Sequence, residues 1–356
     1  MDISSYIVVN KTAELLFLVI AMGIIAYYLW IIPSNTKTET RTIVVGLRVN
    51  LWVILAVCIG LLLLTSLAGL ALRTAAMAEV PLTEAIPLLT TTIFNTMYGK
   101  LWMYRMTALV LLISLWVIHW LHFESQKSVY ASLAAIIVFV FTLSASGHAG
   151  EDGVFSLLNI INSVHILGAL LWGGIIIISA LVILPYLVKS AGTRAPDVIA
   201  EVSLKMSTLA GIALALVVVP GVYNAWILLG NIAGLWQSLF GQILFVKIVF
   251  VVFMAGLGAL NRYAYVPSIQ AEMGQPIPAT FIPIPEFIVA RGRSNPLHFF
   301  RRSLWLEAGL LIVVLVLAAA LSQQTPAAHE QEAEHSALLI EINQSHVASL
   351  STRQFS

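Results

Sequence analysis

The sequence predicts an all-α membrane protein with eight transmembrane helices, and two observations carry that prediction. Of the 356 residues, 60% are hydrophobic and only 10% are charged, with a mean hydropathy of +0.95. Soluble proteins are about half apolar and about a quarter charged. The apolar residues also fall into eight runs, each near or above the ~20 residues that a helix needs to cross a bilayer. Helices are expected because lipid offers the backbone no hydrogen-bond partners.

The eight predicted spans are Ala13–Pro33, Asn50–Leu72, Leu101–Leu121, Val129–Ala149, Phe155–Leu187, Met206–Leu229, Gly241–Asn261 and Leu304–Leu321. Two proline-containing segments between the spans are not expected to cross the membrane. Glu79–Tyr98 is expected to lie on the outer surface as a lid, and Arg262–Ser303 to form a cytoplasmic loop. Residues 1–322 would then form the transmembrane domain, and residues 323–356 a polar extracytoplasmic tail.

The basic residues predict the orientation in the membrane. Twelve Lys and Arg fall on one side of the spans and six on the other, and the richer side faces the cytoplasm. We therefore expect a multi-pass membrane protein with both termini on the outer side. The net charge of +1 gives no field for nucleic acid, and the single cysteine excludes Cys-x-x-Cys sites. No nucleotide-binding or hydrolase motif is present, so we expect no ATP-driven pumping. We expect no enzyme unless the chain carries a haem.

A weak internal repeat relates the two halves of the chain. The segment 96–101 opens the third span and the similar segment 238–243 opens the seventh, 142 residues later, with Arg105 and Lys247 at matching offsets. Each half would contain four spans, an even number, so the two four-helix halves would have a parallel orientation.

Ionisable residues inside spans are costly and point to function. His165 lies near mid-depth in the fifth span, with Asn159 and Asn162 on the same helical face. His148 is expected at the outer end of the fourth span. Two imidazoles facing one cavity suit a transition metal or a haem iron. The alternatives without a metal are a structural role for His165, bonded to a neighbouring helix, and a role for His148 as a helix cap at the membrane interface.

Other side chains are weaker candidates. Met103 and Met106 could offer thioether ligands to Cu(I), although methionine in an apolar helix is usually packing. Arg105 and Lys247 could hold an anionic group or simply reach for lipid headgroups, and Glu307 could sit at an inner gate. His329, His335 and His346 lie among carboxylates in the tail, where they could bind metal loosely or only be solvated. His119 and His122 are expected at the membrane interface, at the cytoplasmic end of the third span.

The chain resembles the copper resistance protein D family in several short segments that occur in the same order and with the same spacing. The segments are Ser146-Gly147-His148-Ala149, the stretch from His165 through Trp172 to Gly174, the starts of the third and seventh spans, Asn261-Arg262, and Arg301 to Glu307. The resemblance covers about residues 10–326. It implies a protein of the bacterial inner membrane, so that both termini would be periplasmic. Such a protein would bring copper from the periplasm across the membrane beside a periplasmic partner of the CopC type. The resemblance marks His148 and His165 as copper contacts.

Copper transport in the uptake direction is therefore the first function hypothesis, with Cu(I) or Cu(II) as the ion. The second is an electron carrier or oxidoreductase with haem b held by His148 and His165, and with Arg105 and Lys247 available to its propionates. The third is a membrane partner that binds copper without transporting it.

Overall fold

The fold was analysed in a computed structural model that describes residues 3–33, 38–121, 125–191, 196–272, 274–275 and 295–329. Every regular element in these residues is helical, and eight helices are long and apolar enough to cross a membrane. The predicted all-α fold with eight spans is confirmed. In chain order they are α1 Ile3–Ile31, α2 Arg41–Ala78, α3 Met97–Leu121, α4 Gln126–Ala145, α5 Leu157–Lys189, α6 Val198–Leu229, α7 Leu239–Glu272 and α8 Pro296–Leu321.

Several helices are longer than the apolar runs that predicted them. α1 begins at Ile3 and not at Ala13, and α2 ends at Ala78 and not at Leu72. A hydropathy window stops where charges begin, but the backbone continues its hydrogen bonding in a helix past that point. As a result Lys11 lies inside α1, although its position in the sequence predicted a loop.

The predicted fourth span was too long at its end. α4 stops at Ala145, and His148 begins a 3₁₀ turn over His148–Gly150 before the fifth helix starts. A Cβ built at Gly150 would lie 2.7 Å from the carbonyl carbon of Ala145, so only glycine allows the chain to fold back this tightly. His148 therefore stands on a connection and not on a span.

The segments predicted to lie outside the spans also needed correction. α7 continues to Glu272 and α8 begins at Pro296, so the predicted loop 262–303 is helical at both ends. Most of its middle lies outside the described residues. The predicted lid consists of short helical turns, Leu82–Ala85, Ile86–Leu88 and Leu89–Asn95.

α1 and α5 form the centre of the bundle, because glycines let other helices approach α5 closely. A Cβ at Gly174 would lie 2.6 Å from the Cα of Gly23 on α1, and one at Gly168 would lie 2.8 Å from the carbonyl carbon of Leu216 on α6. Small residues at such crossings are typical of membrane helices, whose association depends on close packing. These contacts fix α5 against both partners.

The starts of α1, α3, α5 and α7 and the ends of the other four helices lie at one end of the bundle, which we call the mouth end; the opposite end is the far end. Toward the far end α1, α5 and α7 each contain one π turn, Tyr27–Ile31, Ser179–Ile183 and Asn261–Tyr265. The Tyr27 hydroxyl and Ser179 Oγ lie 2.5 Å apart, joining two of them. π turns are frequent at functional sites.

The starts of α3 and α7 share one local geometry. Thr96 Oγ1 accepts from the Gly99 amide at 3.0 Å, and Ser238 Oγ accepts from the Gly241 amide at 2.9 Å. A Cβ at either glycine would lie within 2.6 Å of a Cα in the preceding short helix. This match supports the repeat, while the division into two parallel halves stays a prediction.

Candidate ligand cavity and metal site

A cavity of about 680 Å³ opens at the mouth end, between α1, α5, α7 and their neighbours. His148, His165 and Asn162 line it, and so do Arg105 and Lys247. These residues come from three helices and one connection, and the sequence had already selected them as candidates. The structure brings them to one cavity, and the assignment of copper to them stays a prediction.

His165 is oriented by a backbone carbonyl. Its Nδ1 lies 2.8 Å from the carbonyl oxygen of Val217 on α6. A carbonyl only accepts, so Nδ1 carries the proton and the neutral ring keeps its lone pair on Nε2. Metal-binding histidines are commonly fixed by the same kind of bond from their other nitrogen. His165 therefore has the tautomer of a metal ligand in a cavity-lining position.

α6 is adapted locally to hold this ring. Pro220 lies inside the helix and has no amide to donate to the Leu216 carbonyl, which loosens the turn that carries Val217. The ring then rests on Gly221, where an added Cβ would lie 2.9 Å from its Cε1 atom. The sequence shows both residues, but only the packing shows that they serve His165.

A chain of amides crosses the cavity wall beside this histidine. Asn224 on α6 donates to Asn162 Oδ1 at 3.0 Å, and Asn162 donates to Ser144 Oγ on α4 at 2.8 Å. In the part of the chain that the structure describes, Asn224 Oδ1 is buried without a hydrogen-bond partner. This oxygen is therefore available to a ligand, and the sequence analysis missed it. Asn159 does not line the cavity, and its amide donates to the Val154 carbonyl at 2.7 Å.

Two histidines share one carboxylate at the mouth. Glu151 Oε1 lies 2.7 Å from His148 Nδ1, and Glu151 Oε2 lies 3.5 Å from His329 Nδ1. His329 follows α8, so the connection after α4 and the segment after α8 meet there. The predicted tail histidines His335 and His346 lie outside the described residues.

The methionines are distributed differently from the prediction. Met103 and Met106 do not line the cavity, and Met106 packs against the hydrophobic core. Met77, Met97 and Met254 do line it, with Met254 fully buried on α7. Helical periodicity alone does not reveal which side of a span faces the cavity when most positions are apolar.

Glu307 lies away from the cavity, toward the far end. It is 2% exposed and accepts hydrogen bonds from the Asn261 amide and, at 3.4 Å, from Ser303 Oγ. Asn261 begins the π turn of α7, so this carboxyl links α8 to that irregular turn. The position fits the predicted inner gate, which stays a prediction.

His119 is a structural residue. It is buried between Tyr28 and Trp52, with ring centroids 5.5 and 4.0 Å away, and its Nδ1 lies 2.8 Å from Ser128 Oγ. The sequence analysis placed it in an interfacial belt, whereas it packs α1, α2 and α3 together. His122 lies outside the described residues.

The cavity therefore offers imidazole, amide oxygen, carboxylate and thioether groups as ligands, which between them suit both oxidation states of copper. Among the residues that the structure describes, no three His, Cys, Asp or Glu side chains converge on one point as a metal site. Any copper in the cavity would take His165 together with ligands of other kinds.

Comparisons with known proteins match the two parts of the chain separately. A family model described as copper resistance protein D-like, N-terminal domain, matches residues 2–157. A model described as copper resistance protein D matches residues 201–321. Neither a curated protein nor a solved structure matches the chain. The two family matches agree with the resemblance that the motifs indicated, and the chain therefore belongs to the copper resistance protein D family and has a role in copper resistance.

Proposed function

We propose that this protein carries copper across the bacterial inner membrane, from the periplasm to the cytoplasm, without catalysing a chemical reaction. The observation that carries the proposal is the hydrogen bond from His165 Nδ1 to the Val217 carbonyl. This bond leaves the lone pair of Nε2 available to bind a metal ion. His165 lines the cavity of a membrane protein that belongs to a copper resistance family.

The proposed route starts at the mouth. His148, Glu151 and His329 offer nitrogen and oxygen donors to copper arriving from the periplasm or from a separate partner of the CopC type. Deeper in the cavity, copper would meet His165, with Asn224 and Met254 as further donors.

Tight packing lies between the cavity and the far end. On the far side of Trp172, Gly23 of α1 and Gly174 of α5 are in close contact, and the described side chains around them are buried. Release to the cytoplasm therefore requires α1, α5 and α8 to move apart, and the π turns and the Glu307–Asn261 bond lie where that movement would occur. The predominance of basic residues on the far side supports the proposed orientation.

The test is copper uptake into membrane vesicles carrying His165→Ala. We expect uptake to fall to the level of vesicles without the protein, while the amount of inserted protein is unchanged. His298→Ala is the matched control, because His298 is exposed outside the cavity, and it should transport normally. Normal uptake by His165→Ala would contradict the proposal. Copper binding without transport by the wild type would favour the third hypothesis of a non-transporting partner.

The haem hypothesis is the second candidate, because the cavity has the volume of an organic ligand site and places Arg105 and Lys247 in the same space as His165. The residues fit haem in donor type: an imidazole for the iron and cations for propionates. When bound, haem would supply one-electron chemistry. A Soret band in protein purified from haem-replete cells would support this candidate, and a colourless preparation would remove it.

A further inference from the structure

The cavity wall carries more positive than negative charge. Of the described residues that line it, Lys11, Arg73, Arg105 and Lys247 are cationic, while Glu14 and Glu151 are anionic, a formal excess of two positive charges. A cavity that served a bare copper cation alone would be expected to carry the opposite sign.

Both carboxylates are already engaged. Glu14 is buried, accepts from Ser66 Oγ at 3.3 Å, and lies 3.7 Å from the Lys11 ammonium. Glu151 bonds with His148 at the mouth. Among the described residues, neither carboxylate forms an ion pair with Arg73 or Arg105.

Among these cations, Arg105 gives the strongest indication of an anionic ligand. It is 3% exposed, its Nη2 donates to Ser146 Oγ at 3.3 Å, and its buried Nε has no hydrogen-bond partner among the described residues. Its guanidinium lies 5.4 Å from the ring centroid of Tyr98, and that of Arg73 lies 5.9 Å from the same centroid. Burial this deep excludes the alternative that Arg105 reaches out to headgroups of the surrounding bilayer. A buried guanidinium without a carboxylate is costly unless an anion pairs with it.

The cavity is large, and much of its remaining wall is apolar. Leu15, Val19, Leu170, Val251, Leu311 and Leu315 form the wall beyond the cations. A volume of about 680 Å³ is in the range of sites for organic ligands and far exceeds what one metal ion needs. Space of this shape accommodates a molecule with one charged end and one apolar end.

We propose that the cavity binds an amphiphile that carries a carboxylate or phosphate group, with the oxyanion held by Arg73 and Arg105 and the apolar body between α1, α7 and α8. Guanidinium groups suit this role because they bind oxyanions through two parallel hydrogen bonds. The bound oxyanion also cancels the positive charge that a copper ion would meet on its way to His165. The binding itself does not depend on the proposed transport.

The test measures ligand binding to the full chain in an uncharged detergent. The probes are phosphatidylglycerol, laurate, zwitterionic phosphatidylcholine and inorganic phosphate, read out as a shift in Tm and as bound ligand in native mass spectrometry. We expect both anionic amphiphiles to raise Tm, and phosphate to need at least about tenfold higher concentration because it lacks the apolar body. Mass spectrometry of the untreated protein identifies a copurified phospholipid or fatty acid, and an optical spectrum identifies haem carboxylates.

The variants distinguish binding by the cationic wall, which is formed by Lys11, Arg73, Arg105 and Lys247, from general lipid binding. Arg73→Gln should weaken binding of phosphatidylglycerol and laurate by about tenfold, the effect of losing one charge-assisted hydrogen bond. Arg73 is exposed at the mouth, so this variant should fold even if Arg105→Gln does not. Lys205→Gln is the control, because Lys205 pairs with Glu201 at 2.7 Å outside the cavity. Equal shifts with phosphatidylcholine and phosphatidylglycerol, or unchanged binding in Arg73→Gln, would overturn the proposal.

Discussion

His165 on α5 donates its Nδ1 proton to the backbone carbonyl of Val217 on α6, across 2.8 Å. This bond joins the two helices at the depth of the cavity and decides which ring nitrogen is free. The free nitrogen, Nε2, is the atom proposed to bind copper, and variants of the residues around it and along the proposed path test this role.

Gly221→Ala should weaken copper binding by displacing the His165 ring. The new Cβ would lie 2.9 Å from Cε1 and 3.0 Å from Nδ1, so the ring must move away from its bond to Val217. Loss of an orienting contact typically costs 10–100-fold in metal affinity, and we expect about tenfold in a competition titration. Gly256→Ala is the matched control, because nothing lies within 4 Å of the added atom. Equal affinities for the two variants would show that ring position is unimportant.

Glu151→Gln should slow copper capture at the mouth. The substitution removes the charge that His148 and His329 share, so copper must be bound by weaker donors. We expect the apparent KM for vesicle uptake to rise by about tenfold, with little change in the maximal rate. Asp152→Asn removes a neighbouring exposed charge and should have no effect. If His329→Ala leaves the KM unchanged, the segment after α8 has no part in capture.

Glu307→Gln should separate copper binding from release. The amide keeps an oxygen that accepts from Asn261 and Ser303 but removes the carboxyl that could gain or lose a proton near the far end. We expect unchanged copper affinity and at least about a tenfold slower uptake. Glu201→Gln, an exposed carboxylate paired with Lys205, provides the control. Uptake at the wild-type rate would exclude Glu307 as a gate.

Gly174→Ala should destabilise the centre of the bundle. An added Cβ would lie 2.6 Å from the backbone of Gly23, so α1 and α5 must separate. Overpacking of this kind costs about 1–3 kcal/mol, which a thermal unfolding series would detect as a lower Tm. Gly309→Ala, where nothing lies within 4 Å, should leave Tm near the wild-type value.

The sequence was sufficient for the eight spans and for the cavity residues that are rare in lipid. His165, Asn162, Arg105 and Lys247 all line the cavity, because polar side chains in spans are excluded from lipid and turn to the protein interior. His148 also reaches the cavity, although from a 3₁₀ turn and not from a helix.

Charged residues near the ends of spans were harder to predict. Lys11, Glu14 and Arg73 line the cavity, yet each lies next to or beyond the boundary that hydropathy gives. Their helices continue past the apolar run, so the cationic wall is visible only after folding. The shared carboxylate of Glu151 was equally hidden, because it joins segments 178 residues apart.

The central claim is that copper in the membrane is bound by His165, and copper K-edge X-ray absorption of the copper-loaded protein tests it most directly. The wild type should show imidazole scattering in the copper shell, which should persist in His298→Ala and disappear or fall by one histidine in His165→Ala. An identical copper shell in wild type and His165→Ala, at equal copper content, would contradict the account.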